Sequence, residues 1–228
     1  MTFRGEDLLI SGAWLLGVGS LMDTIGQTQQ TFTHSDLGKD LIIKGNGIEA
    51  FGNSLQAIGR TKLLKSEREL SQKYAIFGAW LEAAGNSTNS VGVSMDMNGA
   101  EEEGIKIDTL GSGVQALGAA FEAIGASLEE DSSYRTLAIT GNSFISLGSS
   151  LGAIGNIFVI NEKNVIGDQI LLVGSWIQFI GALILINAIT QEVEHMEREE
   201  NLKNENGDSY PYSYNNYSFT NYLSAAHI

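Results

Sequence analysis

The stretch GSGVQALGAAFEAIG, residues 111–125, carries a glycine at every seventh position. Between these glycines, large apolar residues occupy the fourth and seventh positions of each heptad, as in Val114, Leu117, Phe121 and Ile124. A period of seven with paired apolar positions is typical of an α-helix, whereas a half-buried strand alternates with a period of two. The stretch therefore predicts a helix with one stripe of glycine.

The same heptad glycines recur in six repeats that fill residues 2 to about 200. Their first members lie 33, 33, 33, 30 and 33 residues apart, and the sixth set ends in Ala188. We label the glycine position a and read the heptad onward from it as b to g. The position-a glycines are Gly12, Gly19, Gly26, Gly45, Gly52, Gly59, Gly78, Gly85, Gly92, Gly111, Gly118, Gly125, Gly141, Gly148, Gly155, Gly174 and Gly181.

Polar stretches with helix-start residues separate the repeats, for example at Ser35-Asp36 and Asp131-Ser132-Ser133. The only proline is Pro211, so nothing breaks the helices before it. The sequence thus predicts an all-α fold of six antiparallel helices in three hairpins, arranged as an up-and-down bundle or stack. We expect a helical domain over 1–203 and a flexible tail rich in Asn, Ser and Tyr over 204–228. The predicted helices are 5–29, 36–64, 67–93, 103–129, 133–160 and 165–200.

A glycine inside a helix costs about 1 kcal/mol relative to alanine, so these helices need close packing to form. Removing the side chain on one stripe lets two backbones approach and brings the neighbouring d and g side chains into contact. We therefore interpret the glycine stripe as a seam between helices, where leucine would overpack and alanine would be tolerated better. The tryptophans Trp14, Trp80 and Trp176 share position c, and we expect each to fill space left open by its hairpin partner.

The segments GNSLQAIG at 52–59 and LGAIGN at 151–156 resemble a family of repetitive, Gly-rich proteins of spore-forming Gram-positive bacteria. The resemblance covers the six repeats and leaves out the tail. It implies a bacterial, cytoplasmic setting. It implies no activity, cofactor or site residue.

The residue types exclude several classes of chemistry. With 27 acidic and 13 basic residues, the net charge of −14 argues against nucleic-acid binding, and the absence of cysteine excludes thiolate chemistry. The hydrolase-like GSSLG pattern around Ser150 falls in a predicted helix rather than after a strand. Glu192 and His195 form a single Glu-x-x-His pair, whereas a di-iron bundle needs two such pairs. We expect no enzyme activity, no cofactor and no metal site.

Two functional interpretations remain. The first, which we favour from the sequence, is a cytoplasmic scaffolding or self-assembling protein that binds a second copy or a protein partner through helix 6. A terminal helix has one flank protected, which leaves a candidate interface of Trp176, Ile177, Ile180, Ile184 and Leu185. The alternative is a membrane-embedded or membrane-peripheral bundle, since small residues every seven positions suit helices packed in lipid. Lys44, Glu49, Glu82 and Glu122 argue against it if they lie at bilayer depth.

Overall fold

The computed structural model describes residues 3–64 and 69–205, and every regular element in these ranges is an α-helix. The tail predicted over 204–228 lies almost wholly outside the described residues. We number the helices in chain order: α1 Gly5–Thr33, α2 Asp36–Lys62, α3 Glu69–Met97, α4 Glu101–Ser127, α5 Ser133–Ile160 and α6 Asn164–Glu205. The prediction of an all-α fold with six helices is confirmed.

The predicted helix starts are visible as caps. The side chain of Ser35 accepts a hydrogen bond from the backbone N–H of Gly38, and Ser132 accepts one from that of Arg135. Both residues satisfy a first-turn N–H group that has no partner within its own helix. In the turn after α3, Gly99 adopts a φ of 94°, a left-handed conformation that favours glycine.

The helices form a closed ring. The pairs α1 with α2, α2 with α3, α3 with α4, and α4 with α5 are in contact. Glycines of α5 meet glycines of α6, and Gly17 of α1 lies against Ile186 of α6. The hydroxyl of Thr24 in α1 also donates to the carbonyl oxygen of Ser175 in α6, at 3.1 Å. The expectation that α6 has one unprotected flank is therefore wrong, because α1 covers the second flank.

The position-a glycines lie where the two helices of each hairpin cross. At Gly118, an added Cβ would fall 2.7 Å from the carbonyl oxygen of Gly78 on the partner helix. At every position-a glycine, the nearest atom to such a Cβ belongs to the other helix of the same hairpin and lies closer than 3.0 Å. Backbone atoms form most of this contact and cannot move aside, so even the Cβ of an alanine would clash at Gly118. That alanine is tolerated better than leucine there stays a prediction.

The seam is longer than the sequence analysis supposed. Four further glycines lie seven residues before a recognised set and make the same close approach: Gly5, Gly38, Gly104 and Gly167. Gly38 faces the carbonyl oxygen of Gly26, for example, at 2.8 Å from the added Cβ. These four glycines continue the same seven-residue spacing, so the sequence already contains the pattern that places them in the seam.

Neighbouring hairpins are joined differently from the two helices within a hairpin. Each of the three junctions has a hydroxyl at position f that donates to a backbone carbonyl of the next hairpin: Thr24 to Ser175, Ser90 to Ile43 and Ser146 to Ala116. The donor–acceptor distances are 3.1, 3.0 and 2.9 Å. Hydroxyl-to-carbonyl bonds of this kind link closely packed helices without requiring large side chains.

The large apolar side chains at positions c and g are exposed on the outside of the ring. Leu117 is 59% exposed, Ile124 is 46% exposed and Trp14 is 58% exposed. Trp80 and Trp176 are exposed as well, so the expectation that tryptophan fills the hairpin is wrong. The expectation that d and g side chains meet beside the glycines is confirmed in the α3–α4 hairpin, where the ring of Phe121 lies 5.8 Å from that of Tyr74 and 5.1 Å from that of Phe77.

The residues up to Val193 form the ring as one compact unit, and those from Glu194 onward belong to a second unit. The described part of the second unit is the end of α6. There, Arg198 pairs with Glu194, and Nδ1 of His195 lies 3.8 Å from Oε1 of Glu199. Each pair joins residues one helical turn apart.

We expect Gly118→Leu to lower the free energy of unfolding by more than about 3 kcal/mol, because the added side chain meets backbone on the facing helix. Gly113→Leu is the matched control, since an added Cβ there has no atom within 4 Å. It should leave stability unchanged or raise it through better helix propensity. Thermal unfolding followed by circular dichroism measures both, and equal melting temperatures for the two variants would contradict the seam.

Candidate functional site: the polar interior

The interior of the ring is polar, and position e supplies most of it. In each hairpin, the residue four positions after a seam glycine packs onto the facing glycine: Glu82 covers Gly118, and Glu122 covers Gly78. Position e therefore points inward at regular heights, and successive heights lie about 10.5 Å apart along a helix. We describe these heights as four layers, from the end of the ring where α1 stops to the end where it starts.

The first, which we call the mouth layer, opens into a cavity of about 170 Å³ lined by residues of all six helices. Its position-e members are Gln30, Ile42, Asp96, Asp108, Val159 and Leu171. Two of its carboxylates have partners from neighbouring hairpins. Nζ of Lys39 lies 2.8 Å from Oδ2 of Asp96, and Asn156 donates to Asp108 at 2.7 Å.

The second, the amide layer, lies one heptad deeper. Its position-e members are Asp23, Glu49, Asn89, Gln115, Gly152 and Gln178. Asn89 donates to Gln115 at 3.4 Å, and Gln115 donates to Gln178 at 3.3 Å, which links three helices. Asn46 donates to Asp23 at 3.0 Å. Polar side chains from five helices therefore meet at this depth.

The third, the glutamate layer, has two unlike halves. On one side Leu16, Ile145 and Leu185 form the apolar core cluster together with two alanines. On the other side Glu82 and Glu122 each cover the seam glycine of the other's helix and interact electrostatically. Two neighbouring carboxyl groups share a site most easily when one of them carries a proton.

Several buried polar atoms at this depth have no partner among the described residues. Both carboxyl oxygens of Glu82 lack a donor, and Nε2 of Gln56, the α2 member of the same layer, lacks an acceptor. Neither amide atom of Asn86, one turn along α3 from Glu82, has a partner. These residues are at most 1% exposed. Buried polar atoms left unpaired cost about 1 to 3 kcal/mol each, so this depth is suited to ordered water.

The fourth, the arginine layer, closes the far end. Nη1 of Arg60 in α2 donates to Glu192 of α6 at 3.4 Å, and both side chains are largely shielded from solvent. Glu122 and Glu129 also interact electrostatically with Arg60. The one guanidinium group of Arg60 thus interacts with three carboxylates. Because the acids outnumber it, this end of the interior carries net negative charge.

The outer faces of the helices are apolar, in contrast to the polar side chains inside the ring. Every helix has a long segment in which no charged side chain is exposed, and the charged residues in it are buried or half-buried. These segments are 8–33, 45–61, 74–97, 107–127, 136–160 and 164–193. We call their combined outer surface the apolar belt. Its shortest segment, on α2, is about 25 Å long at 1.5 Å per residue.

Exposed charges lie at the two rims of the belt. Nζ of Lys106 bonds to Glu102 on the surface of α4, and this hydrogen bond together with the charge of Lys106 lowers the pKa of Glu102. The same i, i+4 geometry joins Lys44 to Asp40 on α2. The rims therefore hold ionised pairs in contact with water, unlike the carboxyl groups inside the ring.

Three helices in the described ranges are long and apolar enough to cross a membrane: α1, α5 and the part of α6 from Asn164 to Leu202. The other three helices contain the inward-facing acids and amides, which lower their average hydropathy. On α2 and α4 these polar residues lie inside the ring while the outer face stays apolar. The sequence argument against a membrane setting counted Glu49, Glu82 and Glu122 by depth alone, and the structure buries all three inside the ring.

The candidate interface on α6 divides into three parts. Trp176 and Ile180 are exposed, Ile177 and Ile184 are half-buried, and Leu185 is buried against Gly141. Leu185 belongs to the core, so its assignment to an interface was wrong. The exposed members are a section of the apolar belt, and the equivalent surfaces of α1 and α3 carry Trp14 and Trp80.

The chemical motifs also have definite places. Ser150 lies in mid-helix and donates to the carbonyl oxygen of Ser146 at 2.7 Å. Glu192 is paired with Arg60, as described above. Among the residues that the structure describes, no group of three or more His, Asp or Glu side chains is arranged to hold a metal ion.

Residues 7–186, which include all four layers except Glu192 of the arginine layer, match a known family. The chain belongs to DUF6944, a family of unknown function. Comparison with curated proteins and with solved structures gave no match. The family match covers the six glycine repeats, so the seam and the polar interior both lie within it.

We expect Arg60→Leu to lower the free energy of unfolding by about 3 kcal/mol, because it leaves Glu192 and its neighbouring carboxylates shielded and without their counter-charge. Lys106→Leu is the control, since it removes a cation from an exposed pair on the rim. Its melting temperature should match that of the unmodified chain. If the two substitutions changed the melting temperature equally, the buried Arg60 pair would contribute no more to stability than the exposed pair on the rim.

Proposed function

We propose that this chain is a non-enzymatic integral membrane protein whose six helices cross the bilayer as a closed ring. The observation that carries the proposal is the apolar belt, which surrounds the ring on all six helices. A bilayer has a hydrocarbon core about 30 Å thick, and the belt segments are of about that length. The proposal takes up the membrane alternative of the sequence analysis.

The distribution of polar groups supports lipid rather than water as the surroundings. A protein folded in water buries its apolar residues and exposes its charges. Here Glu49, Glu82 and Glu122 are buried, while Leu117 and Phe51 are more than half exposed. In lipid, a charged group is least costly when it faces the bundle interior, which is where these three acids lie.

The shape of the apolar surface argues against a single docked partner. A protein partner covers one patch, whereas the belt extends around the whole ring, and α6 is only one of its six sides. The soluble, self-assembling interpretation would require other copies to cover every side. Binding of a partner through α6 remains a prediction that the next experiment addresses.

The two rims give the proposed orientation. Among the described residues of the ring, the basic residues of one rim are Arg4, Arg60, Lys62, Lys73 and Arg135. The opposite rim has Lys39, Lys44, Lys106 and Lys163, together with the acidic run Glu101 to Glu103. Because short cytoplasmic segments are enriched in Lys and Arg, we place the first rim in the cytoplasm. Together with the resemblance to proteins of spore-forming bacteria, this supports a bacterial membrane as the location that we propose.

Cysteine labelling tests the proposal directly, because the chain has no native cysteine. Leu117→Cys introduces a cysteine in the middle of the belt, and Ser127→Cys introduces one at its rim. Both positions are exposed and lie on the same helix. In nanodiscs, a water-soluble maleimide should label the cysteine at 127 rapidly. It should label the cysteine at 117 only after unfolding in detergent.

Equal labelling of both positions would place the belt in water and overturn the proposal. Recovery of the chain without lipid, as an oligomer with position 117 protected, would support the self-assembling protein instead. Both outcomes are measured as labelled fractions by mass spectrometry.

A further inference from the structure

We propose that the polar position-e side chains of α3 and α4 form a proton path through the ring, with Glu82 and Glu122 as its central proton-carrying pair. The inference rests on the proposed membrane function and assigns a role to the polar interior of the ring. In this hairpin every position-e residue from the mouth layer to the glutamate layer is polar, and Glu129, two residues past the end of α4, continues the line. In the other two hairpins the same positions include Leu16, Ile145 and Leu185.

The polar line has the length that a path across a membrane needs. Its members are spaced seven residues apart on antiparallel helices, so they meet as pairs: Asp96 with Asp108, Asn89 with Gln115, and Glu82 with Glu122. Glu129, just past the end of α4, and Arg60 on α2 follow at the far end. Three steps of about 10.5 Å cover about 30 Å, the thickness of a hydrocarbon core.

The entrance of the path is open and acidic. The cavity at the mouth layer brings Asp96, Asp108 and Asp168 together with His34 and Lys39, from five different helices or their ends. Electrostatic interaction connects Asp108 to Asp23 in the amide layer, one heptad deeper. Protons arriving from the aqueous rim thus meet carboxyl groups at the mouth and again at the next layer.

The amide layer and the glutamate layer contain the groups that would hold water. At the depth of the central pair, the carboxyl oxygens of Glu82, Nε2 of Gln56 and both amide atoms of Asn86 are buried without partners. Amides do not titrate, but they orient water by donating and accepting hydrogen bonds. Waters bound to these amides would bridge the distance between Glu49 and Glu82, which interact electrostatically.

The central step is a proton transfer between equal groups. The O–H bond of one glutamic acid breaks as an O–H bond forms on the carboxylate of the other, so the pair keeps one proton and one negative charge. A proton from the amide layer refills the pair when another leaves toward Glu129 and Glu192. Arg60, which interacts with Glu122, Glu129 and Glu192, fixes a positive charge at this exit and disfavours the passage of metal cations. Ionisable residues inside a membrane bundle are typical of such relays.

Proton uptake by proteoliposomes tests the path. The full chain is reconstituted into phosphatidylcholine and phosphatidylglycerol vesicles that contain a pH-sensitive dye, and valinomycin with a potassium gradient sets an inside-negative potential. The unmodified chain should acidify the vesicle interior faster than protein-free vesicles do. Replacing external sodium by choline should leave the rate unchanged, because protons are the ions that move.

The double variant Glu82→Gln with Glu122→Gln should lose the uptake down to the rate of protein-free vesicles. It keeps the size and shape of both side chains, so the fold is retained, and circular dichroism with vesicle flotation verifies this. Glu102→Gln, on the exposed rim of α4, is the control and should conduct like the unmodified chain. A double variant that conducts normally would overturn the inference, as would uptake that depends on sodium.

Flotation separates the two proposals. A chain that floats with the vesicles and shows no uptake above protein-free vesicles contradicts the proton path and leaves the membrane ring intact. A chain that does not float contradicts the membrane function itself.

Discussion

The closeness of the helix backbones within each hairpin is the constraint on which the rest of the structure depends. Opposing glycines bring carbonyl oxygens to where a Cβ would lie, as between Gly78 and Gly118, and no other residue fits there. Each crossing fixes the register of the two helices at intervals of one heptad. Position e is thereby turned inward at every layer, and positions c and g are turned outward.

This geometry reverses the usual placement of polar and apolar residues. With the crossing occupied by backbone, large side chains at d and g meet beside it, as Tyr74 and Phe121 do, and those at c and g form the outer surface. The polar side chains at e and b are enclosed, and they pair across hairpins, as Asn156 does with Asp108 and Gln115 with Gln178. The apolar belt and the polar interior are two consequences of the same glycine stripe.

The helices and their pairing were predictable because glycine at every seventh position is a strong local signal. Which stripe of side chains faces the interior could not be predicted, because the apolar d and g stripe and the polar e stripe both flank the glycines. The sequence analysis counted Glu82 and Glu122 by their depth along the helix alone, because spacing does not tell which of two stripes beside the glycines is enclosed. Closure of the ring by α1 and α6 depends on long-range contacts such as Thr24 with Ser175, which have no sequence signature.

Fluorescence quenching of the native tryptophans tests the central claim that the apolar belt lies in lipid. All three tryptophans, Trp14, Trp80 and Trp176, are on the outer surface of the ring, so no substitution is required. In vesicles of lipids brominated on their acyl chains, the emission should be strongly quenched, while aqueous iodide should have little effect. Strong quenching by iodide with none by the brominated lipids would contradict the account.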